Sequence, residues 1–279
     1  MEITEEMAID RLRHNMHRPE RKTIFVIGAG ASSEVASLPL GSELAKTLLE
    51  QWGYTNSDTF QRILDNIAIK YKFNKNDVKT ILFALNSIDS EKLVSDVCRY
   101  LSVSEELHSS FYDQVSHSFL EGKIDVILNF NFDILLDNAL ASDYFGRDYR
   151  RIIFDVEAAT NVFYTDDKPL YIKPHGSVDY KESLRFQRAD FYDMGKNMSE
   201  LIGRLVAENP TDIVTIGFRA KFYEFTDILE KKMCTDSEIF IVDKVEDVLD
   251  ANLLPFYHGG FVQINDSYLL TDFMNQLVR

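Results

Sequence analysis

Short apolar runs separated by stretches of helical character constrain the fold of this chain more than any other feature. The runs that we interpret as strands cover residues 23–27, 125–129, 170–172, 212–216, 238–242 and about 261–264. Helical patterns lie around 133–141, 190–207, 222–232 and 267–278. Buried strands that alternate with helices are typical of parallel sheets covered on both faces. The sequence therefore predicts an α/β fold with a Rossmann-like, mainly parallel sheet and helices on both of its faces.

The first predicted strand runs directly into the turn Gly28-Ala29-Gly30-Ala31-Ser32. A glycine lets the backbone approach a ligand without an intervening Cβ, and the N-terminus of a following helix attracts negative charge. A strand, a glycine turn and a helix start in this order predict a pyrophosphate-binding turn. The alternative is a purely structural turn, in which Gly28 and Gly30 allow a tight bend and Ser32 or Ser33 caps the helix.

The residues after this turn argue against a hydride-transfer enzyme. Dehydrogenase sites usually have a third glycine or alanine and, about 20 residues further on, an acidic residue that closes a second strand. Ser33 occupies the third position here, and residues 41–52 have a helical pattern rather than a strand pattern. Glu50 is therefore a poor candidate for binding a ribose, and hydride transfer is the least favoured reaction.

Four helices without an intervening strand are predicted between residues 57 and 122. Each has an apolar stripe at the spacing of one helix face, which indicates packing against a core. We therefore predict an N-terminal helix at 1–22, a Rossmann-type nucleotide-binding domain at 23–56 and 123–279, and an inserted all-helical module at 57–122.

The charge of the chain bears on its possible partners. The 279 residues include 45 acidic and 30 basic side chains, with a formal net charge of −15. This excess of negative charge opposes binding to phosphate backbones, so nucleic acid is not an expected direct partner. A basic cluster near the N-terminus is interpreted as a solvated helix face or as a contact with an acidic partner. It consists of Arg11, Arg13, His14, His17, Arg18, Arg21 and Lys22.

Several features indicate a cytoplasmic protein without a membrane partner. The first six residues are acidic where a signal peptide would be basic, and no apolar run approaches the roughly 18 residues that span a bilayer. Cys98 and Cys234 lie far apart in segments with helical patterns. They indicate neither a disulfide framework nor a cysteine zinc site.

Polar residues and glycines follow the predicted strands at their carboxyl ends. They are Asn129, Asn131 and Asp133 after the second strand, His175 and Gly176 after the third, Gly217, Phe218 and Arg219 after the fourth, and Asp243 and Lys244 after the fifth. Ligands of open α/β sheets bind at these ends, so we expect the side chains to form one site. Each of these residues also has a purely structural interpretation. Asp133 could cap the following helix, His175 could be a turn histidine, and Asn129 could end a loop.

Taken in order, these motifs resemble those of the sirtuin superfamily, in particular its NAD-hydrolysing branch in bacterial antiviral defence. The matching motifs are Gly28-Ala29-Gly30-Ala31-Ser32, Asn131-Phe132-Asp133, His175-Gly176 and Gly217-Phe218, spread over residues 24–243. The resemblance implies a nucleotide-binding fold with an inserted helical lobe. Sirtuin deacylases also carry a cysteine zinc module after the His-Gly motif, whereas residues 177–216 contain no cysteine. They carry an acidic, arginine-bearing segment after the glycine turn, where residues 37–41 are Ser-Leu-Pro-Leu-Gly.

The resemblance implies that NAD+ is a substrate, hydrolysed at its nicotinamide–ribose bond without a metal. By this resemblance Asn131 positions the ribose or the attacking water, Asp133 holds the carboxamide, and His175 is the general base. The residues implied in NAD+ binding are Gly28, Ala29, Gly30, Ser32, Gly217 and Phe218. Charge alone makes Arg219 a further phosphate candidate, and Asp243 is a candidate acceptor for the adenosine ribose hydroxyls.

An enzyme that destroys cellular NAD+ would be toxic if it were always active. We therefore expect activity to be gated by assembly into a homo-oligomer or by a separate sensor chain, as part of an anti-phage response. Two alternatives stay open. A protein deacylase would consume NAD+ only with an acylated peptide, and a non-catalytic sensor would bind NAD+ or ADP-ribose without forming a product.

Overall fold

A seven-stranded sheet forms the centre of the fold. The computed structural model describes residues 4–71, 74–104, 107–142, 148–153, 168–184, 186, 200–218, 223–244 and 259–279. The strands are β1 (Lys22–Ile27), β2 (Val126–Asn129), β3 (Arg150–Ile153), β4 (Leu170–Lys173), β5 (Thr211–Ile216), β6 (Glu238–Asp243) and β7 (Gly260–Gln263). Their order is β3-β4-β2-β1-β5-β6-β7, and every neighbouring pair is parallel. The predicted Rossmann-like α/β fold is confirmed.

Helices precede the first strand and connect most of the others. They are α1 (Glu5–Met16), α2 (Ala29–Ala36), α3 (Gly41–Gln51), α4 (Asp58–Tyr71), α5 (Val78–Ile88), α6 (Ser90–Leu101), α7 (Ser110–Leu120), α8 (Leu135–Ser142), α9 (200–207), α10 (Tyr223–Lys232) and α11 (Leu270–Leu277). Strand β3 was not predicted. It is an edge strand of two arginines and two isoleucines, and only Ile152 is buried, so it lacks the long apolar run of an interior strand.

The two faces of the sheet are covered by different helices. In β1, Phe25 and Ile27 belong to a core shared with α1, α7, α8 and α11. The alternate residues Ile24 and Val26 belong to a second core with α9 and α10. This alternation follows from the two-residue period of a strand. Helices on both faces are therefore confirmed.

A third core lies outside the sheet. Helices α3, α4, α5 and α6 form it together with Val178, Leu184 and Phe186 from the segment after β4. The module predicted at 57–122 thus supplies α4 to α6 to this core, while buried residues of α7, such as Phe111 and Phe119, pack on the sheet. The division of the chain into domains stays a prediction.

The basic cluster near the N-terminus pairs with acidic residues of the same chain. Arg21 Nε donates to Asp212 Oδ2 at 2.9 Å, at the amino end of β5, and both side chains are buried. Arg11 pairs with Glu238 at the amino end of β6. Asn15 donates to both acidic side chains at 3.2 Å. These contacts attach α1 and the chain that follows it to the amino ends of β5 and β6, on the side of the sheet opposite the strands' carboxyl ends.

Two glycine turns meet at the carboxyl end of the sheet. A Cβ at Gly28 would lie 2.5 Å from Gly217 O, and one at Gly30 would lie 2.8 Å from Gly217 Cα. Gly217 has φ +55°, and its own Cβ would lie 2.3 Å from Ala31 N. Real Cβ atoms do not approach backbone this closely, so the turns after β1 and β5 can meet only if these positions are glycine.

We predict that Gly217→Ala destabilises the fold much more than Gly53→Ala. Both glycines have positive φ, but a Cβ at Gly53 would meet nothing within 4 Å. Gly53→Ala should therefore cost only the left-handed backbone strain of about 1–2 kcal/mol. At Gly217 the collision should add about 1–3 kcal/mol. Urea unfolding of both variants measures the difference, and equal losses would show that the turns do not restrict this position.

Candidate functional site

A cavity of about 680 Å³ opens at the carboxyl ends of β1, β2, β4, β5 and β6. Its volume lies within the range of about 300–1,000 Å³ that is usual for small-molecule sites. The residues after the strands form a polar wall. Leu44, Leu82, Leu101 and Phe186 of the third core contribute to an apolar wall. Ligands of open parallel sheets bind where the strand order reverses, and here β1 lies between β2 and β5.

The cavity brings most of the predicted site residues together. Those that line it are Gly28, Ala29, Gly30, Ser32, Asn131, Asp133, His175, Gly217, Phe218 and Asp243. Arg219 lies outside the described residues. The assignment of a catalytic or binding role to each residue stays a prediction.

The glycine turn begins α2 in a way that the sequence did not specify. Gly28 is the N-cap of this helix, so the interpretation of Ser32 or Ser33 as the cap is wrong. The N–H groups of Gly28 and Gly30 donate to Ile216 O and Gly217 O, both at 3.0 Å. These two amides are therefore used within the protein, and so is the N–H of Ala31, which donates to Gly28 O at 3.0 Å.

Ser32 lies at the centre of a buried hydrogen-bond network. Its hydroxyl donates to Asp133 Oδ2 at 2.7 Å, accepts from Asn131 Nδ2 at 2.9 Å and contacts the Tyr112 hydroxyl at 2.9 Å. A hydroxyl has one donor and two acceptor positions, so these bonds use its whole capacity. Asn131 Nδ2 also donates to Gly28 O at 3.0 Å. The Ser32 hydroxyl therefore has no donor left over for the predicted contact with a pyrophosphate.

Asp133 joins the cavity to helix α8. Its Oδ1 accepts at 3.1 Å from the N–H of Leu135, the first residue of α8, and its Oδ2 accepts from Ser32. Burial raises the pKa of the Asp133 carboxyl, and the nearby Lys173 and the Ser32 hydrogen bond oppose this rise. A carboxylate has about four acceptor positions, so these two bonds leave capacity for a ligand.

His175 packs against the turn that carries Asn131. The ring of Phe130 lies edge-on to the imidazole, with 5.1 Å between ring centroids, and the ring of Phe132 is 6.0 Å away. His175 is 8% exposed and borders the cavity. The following Gly176 has φ +89°, and a Cβ there would lie 2.2 Å from a main-chain oxygen. The sharp bend after β4 thus places the imidazole on the cavity wall.

The opposite end of the cavity carries acidic groups and a lysine. Asp243 ends β6, and its Oδ1 accepts from Lys244 N at 2.6 Å. Glu34 of α2 accepts from Leu270 N at 2.8 Å, and Lys244 Nζ is 4.0 Å from its second oxygen. Burial raises the pKa of the Glu34 carboxyl. Glu34 was not among the predicted site residues, because its position on α2 gave no sign that it would reach the end of β6.

A group of buried polar residues behind the cavity was also missed. Tyr112 and Tyr171 are fully enclosed, as is Lys173, whose Nζ donates to Asp137 Oδ2 at 3.0 Å. Two signals were available in the sequence. Lys173 is a charged residue at the end of an apolar strand. Asp137 lies four residues after Asp133, which is the spacing of one face of the helix predicted at 133–141. Tyr112 gave no such signal, because a buried aromatic residue is ordinary in a packed helix.

The described ranges also bear on metal sites, membrane spans and disulfides. No group of three or more His, Cys, Asp or Glu side chains in those ranges could hold a metal ion. No helix there is long and apolar enough to cross a membrane. Cys98 and Cys234 are both free thiols.

Comparison with protein-family models and with curated proteins finds no match. Among solved structures, the chain is similar to one reported under the description "Structural Basis for the Mechanism and Regulation of Sir2 Enzymes". The two chains share 11% sequence identity, 98% of each chain is covered, and the TM-score is 0.48. This similarity assigns no role to any residue, and the fold class is defined by the parallel sheet itself.

We predict that Tyr112→Phe lowers the free energy of unfolding by about 1–3 kcal/mol, because it leaves a buried partner of the Ser32 network unpaired. Tyr180→Phe is the matched control, since Tyr180 is 50% exposed and its variant should stay within about 0.5 kcal/mol of the parent. Urea unfolding measures both values. An equal effect of the two substitutions would show that the Tyr112 hydroxyl does not contribute to the network.

Proposed function

We propose that this chain hydrolyses NAD+ at the nicotinamide–ribose bond and releases nicotinamide and ADP-ribose. One observation carries the proposal. His175, Asn131 and Asp133 lie on one wall of a cavity that continues past the glycine turn to the ends of β5 and β6. Each of the motifs that resemble the NAD-hydrolysing sirtuins thus contributes residues to the lining of this cavity.

The length of the cavity supports an extended ligand. It borders strands from β4 to β6, which are four strand spacings apart in the sheet. Neighbouring strands are about 4.8 Å apart, so this part of the site spans about 19 Å. Such a length suits a dinucleotide better than a mononucleotide.

The distribution of groups supports one orientation of NAD+. The N-terminus of α2 follows β1, in the middle of the span, where it attracts the pyrophosphate. His175 and Asp133 follow β4 and β2 on one side, and the proposal assigns the nicotinamide to that side. Asp243 follows β6 on the other side, where its carboxylate accepts from the adenosine ribose.

Each residue near the nicotinamide then has a distinct role. The C1′–N1 bond breaks through an oxocarbenium-like transition state, and its electron pair neutralises the pyridinium nitrogen. Water adds to C1′, and His175 accepts the proton that it loses. Asp133 accepts from the carboxamide N–H group. Asn131, held by Gly28 and Ser32 before a ligand binds, positions the ribose or the water.

We predict that His175→Ala and Asn131→Ala lower nicotinamide release by about 10²–10⁴-fold, because general base catalysis and positioning are lost. Binding of NAD+ should persist, since the pyrophosphate and adenosine ends are unchanged. His117→Ala is the matched control, because the His117 side chain is 54% exposed and does not line the cavity. Product analysis by chromatography and NAD+ binding by calorimetry measure both properties.

Several outcomes would contradict the proposal. Release of nicotinamide at the parent rate by either folded variant would remove its residue from the mechanism. Consumption of NAD+ only in the presence of an acylated peptide would identify a deacylase instead. Binding of NAD+ or ADP-ribose without a product, under all conditions tested, would identify a sensor.

We further propose that the activity is gated by assembly, either into a homo-oligomer or with a separate sensor chain, in a bacterial response to phage. Gating follows from the cost to a cell of unrestrained NAD+ destruction. Turnover should therefore rise with protein concentration or on addition of the partner chain, and it should follow the assembled fraction in size-exclusion chromatography. A fully active monomer would contradict gating without affecting the proposed reaction.

A further inference from the structure

Lys173 is the most enclosed charged side chain behind the candidate site. It ends β4, two residues before His175, and it is 0% exposed. Its Nζ donates to the main-chain oxygen of Asp133 at 2.5 Å and to Asp137 Oδ2 at 3.0 Å. Lys173 thus connects the end of β4 to the turn that follows β2.

The contacts of Lys173 belong to a longer chain of hydrogen bonds. The Tyr171 hydroxyl donates to Asp137 Oδ2 at 2.9 Å and accepts from Asn129 Nδ2 at 3.1 Å. Asn129 Oδ1 accepts from Asn131 N at 3.0 Å. The network therefore leads from the backbone of Asn131, through Asn129, Tyr171 and Asp137, to Lys173 and the backbone of Asp133.

Stability alone does not account for this arrangement. Burying two opposite charges costs desolvation energy, and apolar residues of similar volume often give an equally stable or more stable protein. The second oxygen of Asp137 is 2.6 Å from Arg151, so this carboxylate would keep a cationic partner without Lys173. What Lys173 adds is a buried contact with the backbone of Asp133, in the turn that follows β2.

We propose that Lys173 is a positioning residue, whose buried Nζ holds the turn at 130–134 so that Asn131 and Asp133 are placed for the reaction. The kinetic part of this inference rests on the proposed function. Misplacement of a reacting group by about 1 Å can cost about 10²-fold in rate. Loss of Lys173 should therefore lower kcat by a similar factor and leave KM close to its parent value.

The charges around Asp133 support a second effect of Lys173. The groups that face this carboxyl are Ser32 from α2, Tyr112 from α7, Asp137 from α8 and Lys173 from β4. Of these, Lys173 is the cation, and it lowers the pKa of Asp133 against the opposing effect of burial. Without it the pKa of Asp133 rises further. A reaction that needs the Asp133 carboxylate is lost as the pH falls through the pKa of that group. In a variant without Lys173, the fall of kcat on the acid side should therefore occur at higher pH.

The test compares Lys173→Met with Arg21→Met. Arg21 is a matched control because its side chain is 7% exposed and pairs with the fully buried Asp212, at the opposite edge of the sheet. Both variants lose a buried cation, but only Lys173→Met removes a contact with the turn at 130–134. Three quantities are measured well below each unfolding midpoint: kcat and KM for nicotinamide release, the pH dependence of kcat, and hydrogen exchange at residues 130–136. Asp137→Asn serves as a second perturbation of the network if Lys173→Met does not fold.

We predict that Lys173→Met shows the fall in kcat, the acid limb at higher pH and faster exchange at 130–136, whereas Arg21→Met shows none of these. Equal losses of kcat in both variants would indicate general destabilisation and overturn the inference. So would unchanged exchange at 130–136. If the parent protein releases no nicotinamide, the proposed reaction fails, and the exchange measurement alone decides whether Lys173 positions the turn.

Discussion

The contact between two glycine turns is the constraint on which the rest of the site depends. The turn after β1 and the turn after β5 lie on neighbouring strands, and their backbones touch where side chains would normally separate them. From β1 the sheet continues through β2 on one side and through β5 on the other. The crevice between these two directions is the cavity. A side chain at Gly28 or Gly217 would push the turns apart and displace the start of α2 together with the floor of the site.

The polar wall of the cavity is held by bonds among its own residues. Ser32 uses its full hydrogen-bonding capacity on three neighbours, and Asn131 is fixed by Gly28 and Ser32. Groups fixed in this way need little reorganisation when charge develops in a reaction. The facing wall is different, because it includes the apolar side chains of Leu44, Leu82 and Leu101 from α3, α5 and α6. A hydrogen-bonded polar surface therefore faces an apolar one across the cavity.

The sequence predicted the sheet and the location of the site more fully than the contacts within it. Apolar runs and glycine turns identify interior strands and their carboxyl ends, because burial on both faces requires such runs. Edge strand β3 was not predicted in this way, because Arg150 and Arg151 are not buried and the strand has no long apolar run. Local pattern also could not show that α7 packs on the sheet, or that Lys173 reaches the Asp133 backbone. Those contacts depend on how distant segments meet, and helix periodicity does not record which partner a face covers.

In the proposed reaction, the positions of the charged groups matter more than their charge alone. The pyridinium ring of NAD+ is positive before the bond breaks, and the positive charge moves to the ribose in the transition state. A buried carboxylate such as Asp133 attracts both forms, so attraction alone would lower KM without raising kcat. Catalysis requires groups placed closer to the ribose than to the ring. The turn after β2 carries both Asp133 and Asn131, so whatever fixes this turn decides how the two states are distinguished. The contacts that hold this turn include the hydrogen bonds of Asn131 with Gly28 and Ser32 and the buried bond from Lys173 to the Asp133 backbone.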